Sequence, residues 1–264
     1  MRVALGVEYD GSHYRGWQQQ AGCATVQADL EAALAQVAAV PVMLVCAGRT
    51  DAGVHATGQV VHFDTRVQRP LVAWREGGNR YLPPTIRLRW ARQVPEDFHA
   101  RFSALSRCYR YIIDNHSWRP ALWHSGISWI RQPLDAKLMH QAGQALIGEH
   151  DFSAFRASQC QSNSPWRRIT QLSVSRRGNY LVLQVTANAF VHHMVRNIVG
   201  SLLLVGSGQR PTSWIAELLA GRDRRRSAAT AKAQGLYLVR VTYPEGFQLP
   251  ITPLGPLWFS DDQC

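Results

Sequence analysis

The sequence predicts an α+β fold in which two similar α/β halves share a long, mainly antiparallel central sheet, with helices on one side and an active-site cleft on the other. The first observation is the order of the predicted elements, β-α-β-β-α-β-β followed by α-β-β-α-α-β. Runs of consecutive strands are typical of antiparallel pairing, with helices covering the sheet. The second is the length of 264 residues with 46% hydrophobic content, which is enough for a large core.

The first half begins with alternating apolar residues over 2–9, which predict a strand. A helix follows, with Thr25 as its N-cap and Pro41 after its end. A second helix, LVAWREGGNRYLP, is predicted to be closed by its Gly77-Gly78 pair. Four further strands, the first of them short and buried, are predicted at 42–46, 59–65, 86–94 and 106–113.

The second half begins with a helix near Asp135. A hairpin follows, because two apolar alternating runs flank the turn residues Gly178 and Asn179. The last three elements are an apolar helix, a short helix and a final strand, at 190–206, 213–221 and 235–243.

The best candidate for a domain boundary is the segment DNHSWRPALWHSGISWIRQP, which has no clear helical or strand period. The sequence therefore predicts an N-terminal half at 1–113 that carries an aspartate loop. A connecting segment at 114–133 then leads to a C-terminal half at 134–264 that carries an arginine helix. No internal repeat is strong enough to prove that the halves are related.

The charge balance favours a polyanionic partner. The chain has 29 Lys and Arg against 18 Asp and Glu, a formal net charge of +11, and its only lysines are Lys137 and Lys232. Arginine grips phosphate with a planar fork of donors and stacks on bases, so this excess predicts nucleic-acid binding. A genome rich in G and C would explain the preference for arginine over lysine, but not the net charge.

The cysteines and the apolar runs indicate the compartment. The five cysteines include no CxxC pair and no zinc spacing, and this pattern is typical of reduced cytosolic thiols. The apolar run at the N-terminus is too short for a signal peptide, and no segment approaches the roughly 20 apolar residues of a membrane span. We therefore expect a cytoplasmic protein with no membrane partner.

The stretch AGRTDAGVHATG contains the first candidate site residue, Asp51. Its glycines Gly48, Gly53 and Gly58 allow positive φ and close backbone approach. Arg49 is placed to keep the Asp51 carboxylate ionised, as a nucleophile requires. The simpler interpretation is an Asx turn without a chemical role, because Asp and Gly dominate turns for local reasons.

Arg196 is the single charge in the apolar segment FVHHMVRNIVGSLLLVG. A buried guanidinium needs a carboxylate or several carbonyl partners. Acidic residues are scarce in this chain, so Asp51 is a reasonable partner. The alternative is that Arg196 extends to the surface of its helix.

Aromatic and histidine residues supply weaker candidates. Tyr109 and Tyr111 share one face of a predicted strand and are candidates for base stacking, although a tyrosine-rich strand is more often core. His192 and His193 invite a metal interpretation, but no carboxylate at ligand spacing accompanies them. The sequence has no phosphate-binding loop and no GxSxG motif, so nucleotide hydrolysis and serine esterase chemistry have no support.

Six stretches together point to one family. GRTDAGVHATGQVVHF resembles the signature loop of the tRNA pseudouridine synthase I (TruA) family, and YDGSHYRGWQ, CYRYII, DFSAFR, AFVHHMVRNIVG and AKAQGLYLVRVTY resemble its other motifs. The resemblance runs from about residue 3 to residue 258. One departure is Cys108, which stands where the family pattern leads us to expect Arg, Lys or Thr.

The resemblance implies roles for five residues. Asp51 stands at the family's catalytic aspartate, and Arg196 at the arginine that pairs with it. Tyr109 stands at the tyrosine that stacks on the uracil. Arg49 stands at the arginine that helps displace the target nucleotide, and Leu236 at the apolar residue that lines the base pocket.

The resemblance also implies a reaction, the isomerisation of uridine to pseudouridine at positions 38, 39 and 40 of the tRNA anticodon stem-loop. It implies a homodimer and neither a cofactor nor a metal. The target base must leave its stack before Asp51 reaches it. From the residues alone, a non-catalytic RNA-binding protein in which Asp51 is only a turn residue is the competing hypothesis. His55 is expected to be structural.

Overall fold

A computed structural model describes residues 1–256 of the chain. The chain divides into two units. The first contains residues 1–105 and the C-terminal segment that begins at Tyr237, and the second runs from Ser106 to Leu236. These bounds differ from the three predicted ranges because the chain returns to the first unit near its end, and the predicted connecting segment 114–133 lies inside the second unit.

The described residues form ten strands and five α-helices. The strands are β1 Arg2–Tyr9, β2 Val45–Cys46, β3 His55–Asp64, β4 Ile86–Val94, β5 Ser106–Asp114, β6 Ser128–Trp129, β7 Gly148–Asp151, β8 Trp166–Arg177, β9 Tyr180–Ala187 and β10 Leu236–Thr242. The α-helices are α1 Val26–Ala38, α2 Gly78–Tyr81, α3 Ala136–Gly143, α4 Met194–Gly206 and α5 Trp214–Gly221. The predicted α+β class is confirmed. Over residues 1–256, none of these helices combines the length and the apolar character needed to cross a membrane.

In the first unit the strands are ordered β4-β1-β3-β10, and β2 pairs with β3. Strand β1 runs antiparallel to both neighbours, with Leu5 opposite Val61 on β3 and Ala91 on β4. Strand β10 is parallel to β3, with Tyr237 opposite His55. Six of the eight residues of β1 are buried, so both of its faces are covered, and its alternating pattern identified the strand but not this burial on both faces.

Helix α1 confirms its sequence signals, whereas the second predicted helix differs from its prediction. The Thr25 side chain accepts the Ala28 backbone N–H, as an N-cap does. A π-helical turn at Ala73–Gly77 continues directly into α2, so Gly77 and Gly78 lie inside the helical segment instead of closing it. Gly78 lies inside the helix because of packing: a Cβ added there would lie 2.6 Å from the Leu88 side chain on β4.

The predicted buried strand at 42–46 is also wrong in detail. Only Val45–Cys46 forms a strand, at the edge beside β3. Val42 and Leu44 are buried, whereas Met43 is 84% exposed and Val45 is 37% exposed. The segment therefore has one buried side and one solvent-facing side, which a continuous apolar run does not reveal.

In the second unit the strands are ordered β5-β9-β8-β7, all antiparallel, and β6 lies parallel beside β5. The predicted hairpin is present, with Gly178 in the left-handed region at φ +56° and Arg177 opposite Tyr180. Helix α4 begins at Met194, four residues later than predicted, because His193 adopts a left-handed conformation at φ +62°. Its residues Ile198 and Leu202 are fully buried.

Candidate active site

The loop that joins β2 to β3 carries two of the five predicted site residues. Arg49 is exposed and Asp51 is half-buried. The Asp51 carbonyl accepts the Val54 N–H at 3.1 Å, and Gly53 has a φ of +76°. The loop is therefore a backbone turn that begins at Asp51 and needs glycine at its third position.

The segment that follows β1 holds this loop by backbone contacts. The Trp17 N–H donates to the Thr50 carbonyl at 3.0 Å, and the Gly53 N–H donates to the Tyr14 carbonyl at 3.3 Å. Gly16 has a φ of +94°, and a Cβ added there would lie 2.8 Å from the Thr50 carbonyl oxygen. Only glycine lets the two backbones approach this closely, so the YDGSHYRGWQ stretch fixes the position of Asp51.

Hydrogen bonds of buried polar side chains also hold this loop. The Thr50 and Tyr9 hydroxyls are hydrogen-bonded at 2.7 Å. The Gln59 side chain, which is fully buried on β3, donates to the Gly48 carbonyl at 2.7 Å. These three residues were missed by sequence reasoning. The available signal was a glutamine directly before the apolar pair Val60 and Val61 in a predicted strand, because a buried amide needs a specific partner.

The loop glycines play different parts. Gly53 has the positive φ, whereas Gly48 and Gly58 do not. A Cβ on Gly58 would lie 2.2 Å from the Val239 carbonyl oxygen on β10, so this glycine permits a close approach between strands. A Cβ on Gly48 would meet nothing within 4 Å. The expectation that all three glycines permit unusual conformations or close contacts therefore holds for two of them.

His55 is buried and has structural contacts. Its Nδ1 lies 3.1 Å from both the Gly11 nitrogen and an Asp10 carboxylate oxygen, and its ring stacks on Tyr237 with centroids 4.7 Å apart. The contact with His55, together with hydrogen bonds from Ser12, holds the pKa of the Asp10 carboxyl far below its usual range. His55 thereby ties the turn after β1 to the start of β3.

Arg196 lies on α4 in the second unit and is half-buried. Its Nε donates to the Ala231 carbonyl at 2.8 Å, and its own carbonyl accepts the Ala231 N–H at 3.1 Å. The sequence predicted a carboxylate or several carbonyl partners for this guanidinium, and the carbonyl of Ala231 is one such partner. The pairing of Arg196 with Asp51 stays a prediction.

A buried polar network attaches the segment 227–231 to α4. The Asn197 side chain is fully buried, donates to the Phe155 carbonyl at 2.7 Å, and accepts from Thr230 at 2.7 Å and from Arg224 at 3.1 Å. Arg224 also donates to the Ala228 carbonyl at 2.8 Å. Sequence reasoning missed Asn197 and Arg224. Their hydrogen bonds hold the segment that contains Ala231, the carbonyl partner of Arg196.

Tyr109 and Leu236 are both buried in the second unit. Tyr109 on β5 is 8% exposed and meets Phe190 edge to face, with centroids 5.1 Å apart. The neighbouring Tyr111 hydroxyl donates to the Lys232 carbonyl at 2.8 Å. Leu236 is 5% exposed, and its N–H donates to the Ala233 carbonyl at 2.9 Å.

The second unit therefore brings two predicted site residues, Arg196 and Leu236, to one segment, 231–236. Arg196 reaches it from α4, and the Ile112 N–H of β5 donates to the Gly235 carbonyl at 2.9 Å. A Cβ on Gly235 would lie 2.4 Å from the Ile112 carbonyl oxygen, so β5 and this segment are in close contact.

Comparison with known proteins identifies the family. A family model described as tRNA pseudouridine synthase matches residues 6–103 and 142–244. The chain belongs to this family. The tRNA pseudouridine synthase match covers the Asp51 loop, α4 and Leu236, whereas Tyr109 lies between the two matched ranges.

Close relatives agree over nearly the full length. The tRNA pseudouridine synthase A of Aeromonas hydrophila subsp. hydrophila is 62% identical over 261 residues, covering 99% of this chain and 97% of the relative. That of Citrobacter koseri is 62% identical over 260 residues, covering 98% and 96%. That of Escherichia fergusonii is 59% identical over 260 residues, with the same coverage. The prediction of a tRNA pseudouridine synthase, and so of an isomerase, is confirmed.

Proposed function

We propose that this tRNA pseudouridine synthase acts on uridines 38, 39 and 40 of the anticodon stem-loop, in the cytoplasm where tRNA is found. In the reaction the N1–C1′ bond breaks, the uracil turns, and C5 bonds to C1′. C5 loses a proton and N1 gains one, so the product is an isomer and nothing is oxidised. The net charge of +11 suits a substrate that presents phosphates.

In this proposal Asp51 is the catalytic carboxylate and Arg196 keeps it ionised. Tyr109 stacks on the flipped uracil, Leu236 lines the base pocket, and Arg49 helps displace the nucleotide. Unstacking the base costs a few kcal/mol, which stacking and phosphate contacts offset. A dry pocket keeps water from trapping the intermediate.

The observation that carries the proposal is the Asp51 loop. It lies inside the family match, and its backbone is held on both sides by Trp17, Gly16 and the Thr50–Tyr9 hydrogen bond. A carboxylate on a loop fixed in this way meets a reacting atom in a reproducible geometry, which catalysis requires. A turn residue without chemistry would not need such support.

Replacing the carboxylate tests the proposal. We expect Asp51→Asn and Asp51→Ala to bind tRNA within a few-fold of the wild-type protein and to form no detectable pseudouridine. Glu76→Gln, which removes an exposed carboxylate paired with Arg75, is the matched control and should be fully active. Substantial product from Asp51→Asn would contradict the assignment. A wild-type protein that binds tRNA and forms no product would favour the non-catalytic RNA-binding hypothesis.

Three roles for Asp51 are distinguishable: attack on C1′, attack on C6, and removal of the C2′ proton. A substrate deuterated at C2′ should slow the reaction severalfold only in the third case. A carboxylate that attacks carbon instead leaves the C2′ hydrogen in place. Trapping the enzyme with tRNA that contains a fluorinated uracil then distinguishes an adduct at C1′ from an adduct at C6 by its mass.

The Arg196 assignment has its own test. Arg196→Met should lower kcat and move the acidic limb of the pH–rate profile to higher pH, because the carboxylate loses a stabilising charge. Arg196→Lys keeps the charge and should shift that limb less. Arg210→Met removes an exposed arginine that packs over Trp214 and serves as the control. An unmoved limb in Arg196→Met would contradict the ion pair.

We also propose that the enzyme works as a homodimer. Sedimentation of the wild-type protein at working concentration should give the mass of two chains, or about 59 kDa from the chain mass of 29.6 kDa. A fully active species of 29.6 kDa would contradict this part of the proposal.

A further inference from the structure

An exposed aromatic cluster lies in the first unit between β4 and β5. The Phe102 side chain is 75% exposed, yet its ring stacks on His99 with centroids 4.3 Å apart and planes inclined by 30°. The Arg101 guanidinium lies 5.4 Å from the centre of the same ring. We call His99, Arg101 and Phe102 the aromatic platform.

The backbone under the aromatic platform is firmly held. The Ala100 N–H donates to His62 Nδ1 at 3.1 Å, and the Tyr243 hydroxyl donates to the Ala100 carbonyl at 2.6 Å. Phe98, immediately before the platform, is fully buried. Phe102 is therefore a large apolar side chain that a hydrogen-bonded backbone holds in water, and together with the His99 ring and the Arg101 guanidinium it forms a surface that a partner can contact.

His99 contributes a neutral ring to the platform. Its Nδ1 accepts the N–H groups of Arg101 and Phe102, both at 3.2 Å, so this nitrogen carries no proton. Partial burial and the charges of Arg2 and Arg101 lower the pKa of His99. The platform therefore combines two stacked neutral rings with one fixed positive charge.

The aromatic platform lies beside the start of the Asp51 loop, because Ala47, the first residue after β2, belongs to one buried cluster with Phe98 and Ala100. Burial raises the pKa of the Cys46 thiol to about 12, and the charges of Arg49 and Arg101 both act in the opposite direction on this thiol. Cys46 is the last residue of β2 and directly precedes the loop. The effect of both charges on Cys46 agrees with this packing.

We propose that the aromatic platform is a stacking subsite for the RNA substrate, in which an unpaired base beside the target uridine stacks on Phe102 while Arg101 contacts its phosphate. The inference rests on the proposed function and extends it to a binding residue. Single-stranded RNA is bound by exposed aromatic faces combined with arginine. A second protein chain would also cover Phe102, but the flanking guanidinium and the net charge of +11 favour a polyanion.

Phe102→Ala is the central test, because the residue is exposed and its loss should leave the thermal midpoint nearly unchanged. We expect Kd and KM for tRNA to rise about five- to 150-fold, which is the usual effect of removing one stacking partner, and kcat to stay within about two-fold. Phe102→Trp, which keeps an aromatic ring for stacking, should bind tRNA with the affinity of the wild-type protein. Tyr81→Ala, which removes another exposed aromatic residue of the same unit, should bind like the wild-type protein.

Salt dependence separates the two parts of the platform. Arg101→Gln should reduce the slope of log Kd against log salt by about one, because one phosphate contact is lost. Phe102→Ala should weaken binding at every salt concentration and leave the slope unchanged. Equal slopes for Arg101→Gln and the wild-type protein would overturn the phosphate contact.

Three further outcomes decide whether the aromatic platform binds RNA and whether the proposed function holds. Affinity of Phe102→Ala within two-fold of Tyr81→Ala would overturn the stacking subsite. So would a Phe102→Ala protein that sediments as a single chain while the wild-type protein sediments as two, because the platform would then be an interface between copies. If the wild-type protein binds tRNA but forms no pseudouridine, the proposed function fails, and the affinity of Phe102→Ala still decides whether the platform binds RNA.

Discussion

Gly16 offers a direct test of whether the Asp51 loop is held in place by the segment after β1. We expect Gly16→Ala to be folded and to have a kcat at least about ten-fold below that of the wild-type protein. Gly16 is remote from Asp51 in sequence and carries no functional group. Loss of activity would therefore come from displacement of the loop.

Two terms set the size of this effect. A φ of +94° costs a residue with a Cβ about 1–2 kcal/mol. The new Cβ would also lie 2.8 Å from the Thr50 carbonyl oxygen and 3.1 Å from the Ala52 nitrogen, so one of the two backbones must move by about half an ångström. A misplacement of about 1 Å can lower a rate about 100-fold, so half of that predicts roughly ten-fold.

Two other glycines separate strain from displacement. Gly22 has a φ of +70°, but a Cβ there would meet nothing within 4 Å, so Gly22→Ala tests the strain alone. Gly48 lies in the Asp51 loop, has no positive φ and has the same free space, so Gly48→Ala tests an added methyl alone. We expect Gly22→Ala to lose up to about 1–2 kcal/mol of stability at unchanged kcat, and Gly48→Ala to be near neutral.

The assay is single-turnover pseudouridine formation at saturating tRNA, at a temperature at least about 10 °C below every thermal midpoint. These conditions remove differences in tRNA binding and in the folded fraction. Gly16→Ala with a single-turnover rate equal to that of Gly22→Ala would refute the argument that close backbone packing positions Asp51.

Two further predictions concern stability. Burial and the neighbouring charge of Arg2 lower the pKa of His62 to about 4 from 6.5. The unfolded chain therefore binds more protons between these values, and the free energy of unfolding should fall by roughly 2 kcal/mol from pH 7 to pH 5. Urea denaturation should show a weaker pH dependence for His62→Gln, and equal dependence would contradict the assignment. Asn197→Ala loses three buried hydrogen bonds, worth roughly 3 kcal/mol, and should lower the thermal midpoint by about 6–12 °C, whereas a decrease below about 2 °C would show that the network contributes little.

The sequence predicted elements well where the signal is local. The alternation of β1, the Thr25 cap of α1 and the Gly178 turn each depend on a few adjacent residues, and all three are present. The predictions that are wrong depend on packing. Gly77 and Gly78 looked like a helix end, but Gly78 lies against Leu88, a residue of another element.

The same distinction applies to the candidate site. Asp51 and Arg49 could be selected from a glycine-rich loop between two strands, and Arg196 from a single charge in an apolar helix. Their supports could not be selected in this way. Tyr9 and Thr50 are separated by 41 residues, and Asn197 and Thr230 by 33. No local period connects such positions, so their hydrogen bonds become visible only in three dimensions.

These supports have a common physical logic. Thr50, Gln59 and Asn197 are polar and almost fully buried, and burying such groups costs free energy unless each is hydrogen-bonded. Thr50 is part of the Asp51 loop and bonds to Tyr9, Gln59 donates to that loop, and Asn197 accepts from the segment that contacts Arg196. A satisfied buried network has few alternative geometries, because moving one member leaves another without a partner. Thr50, Gln59 and Asn197 therefore lie where the backbone must be held in one position. These are the places where the proposed chemistry needs a fixed carboxylate and a fixed guanidinium.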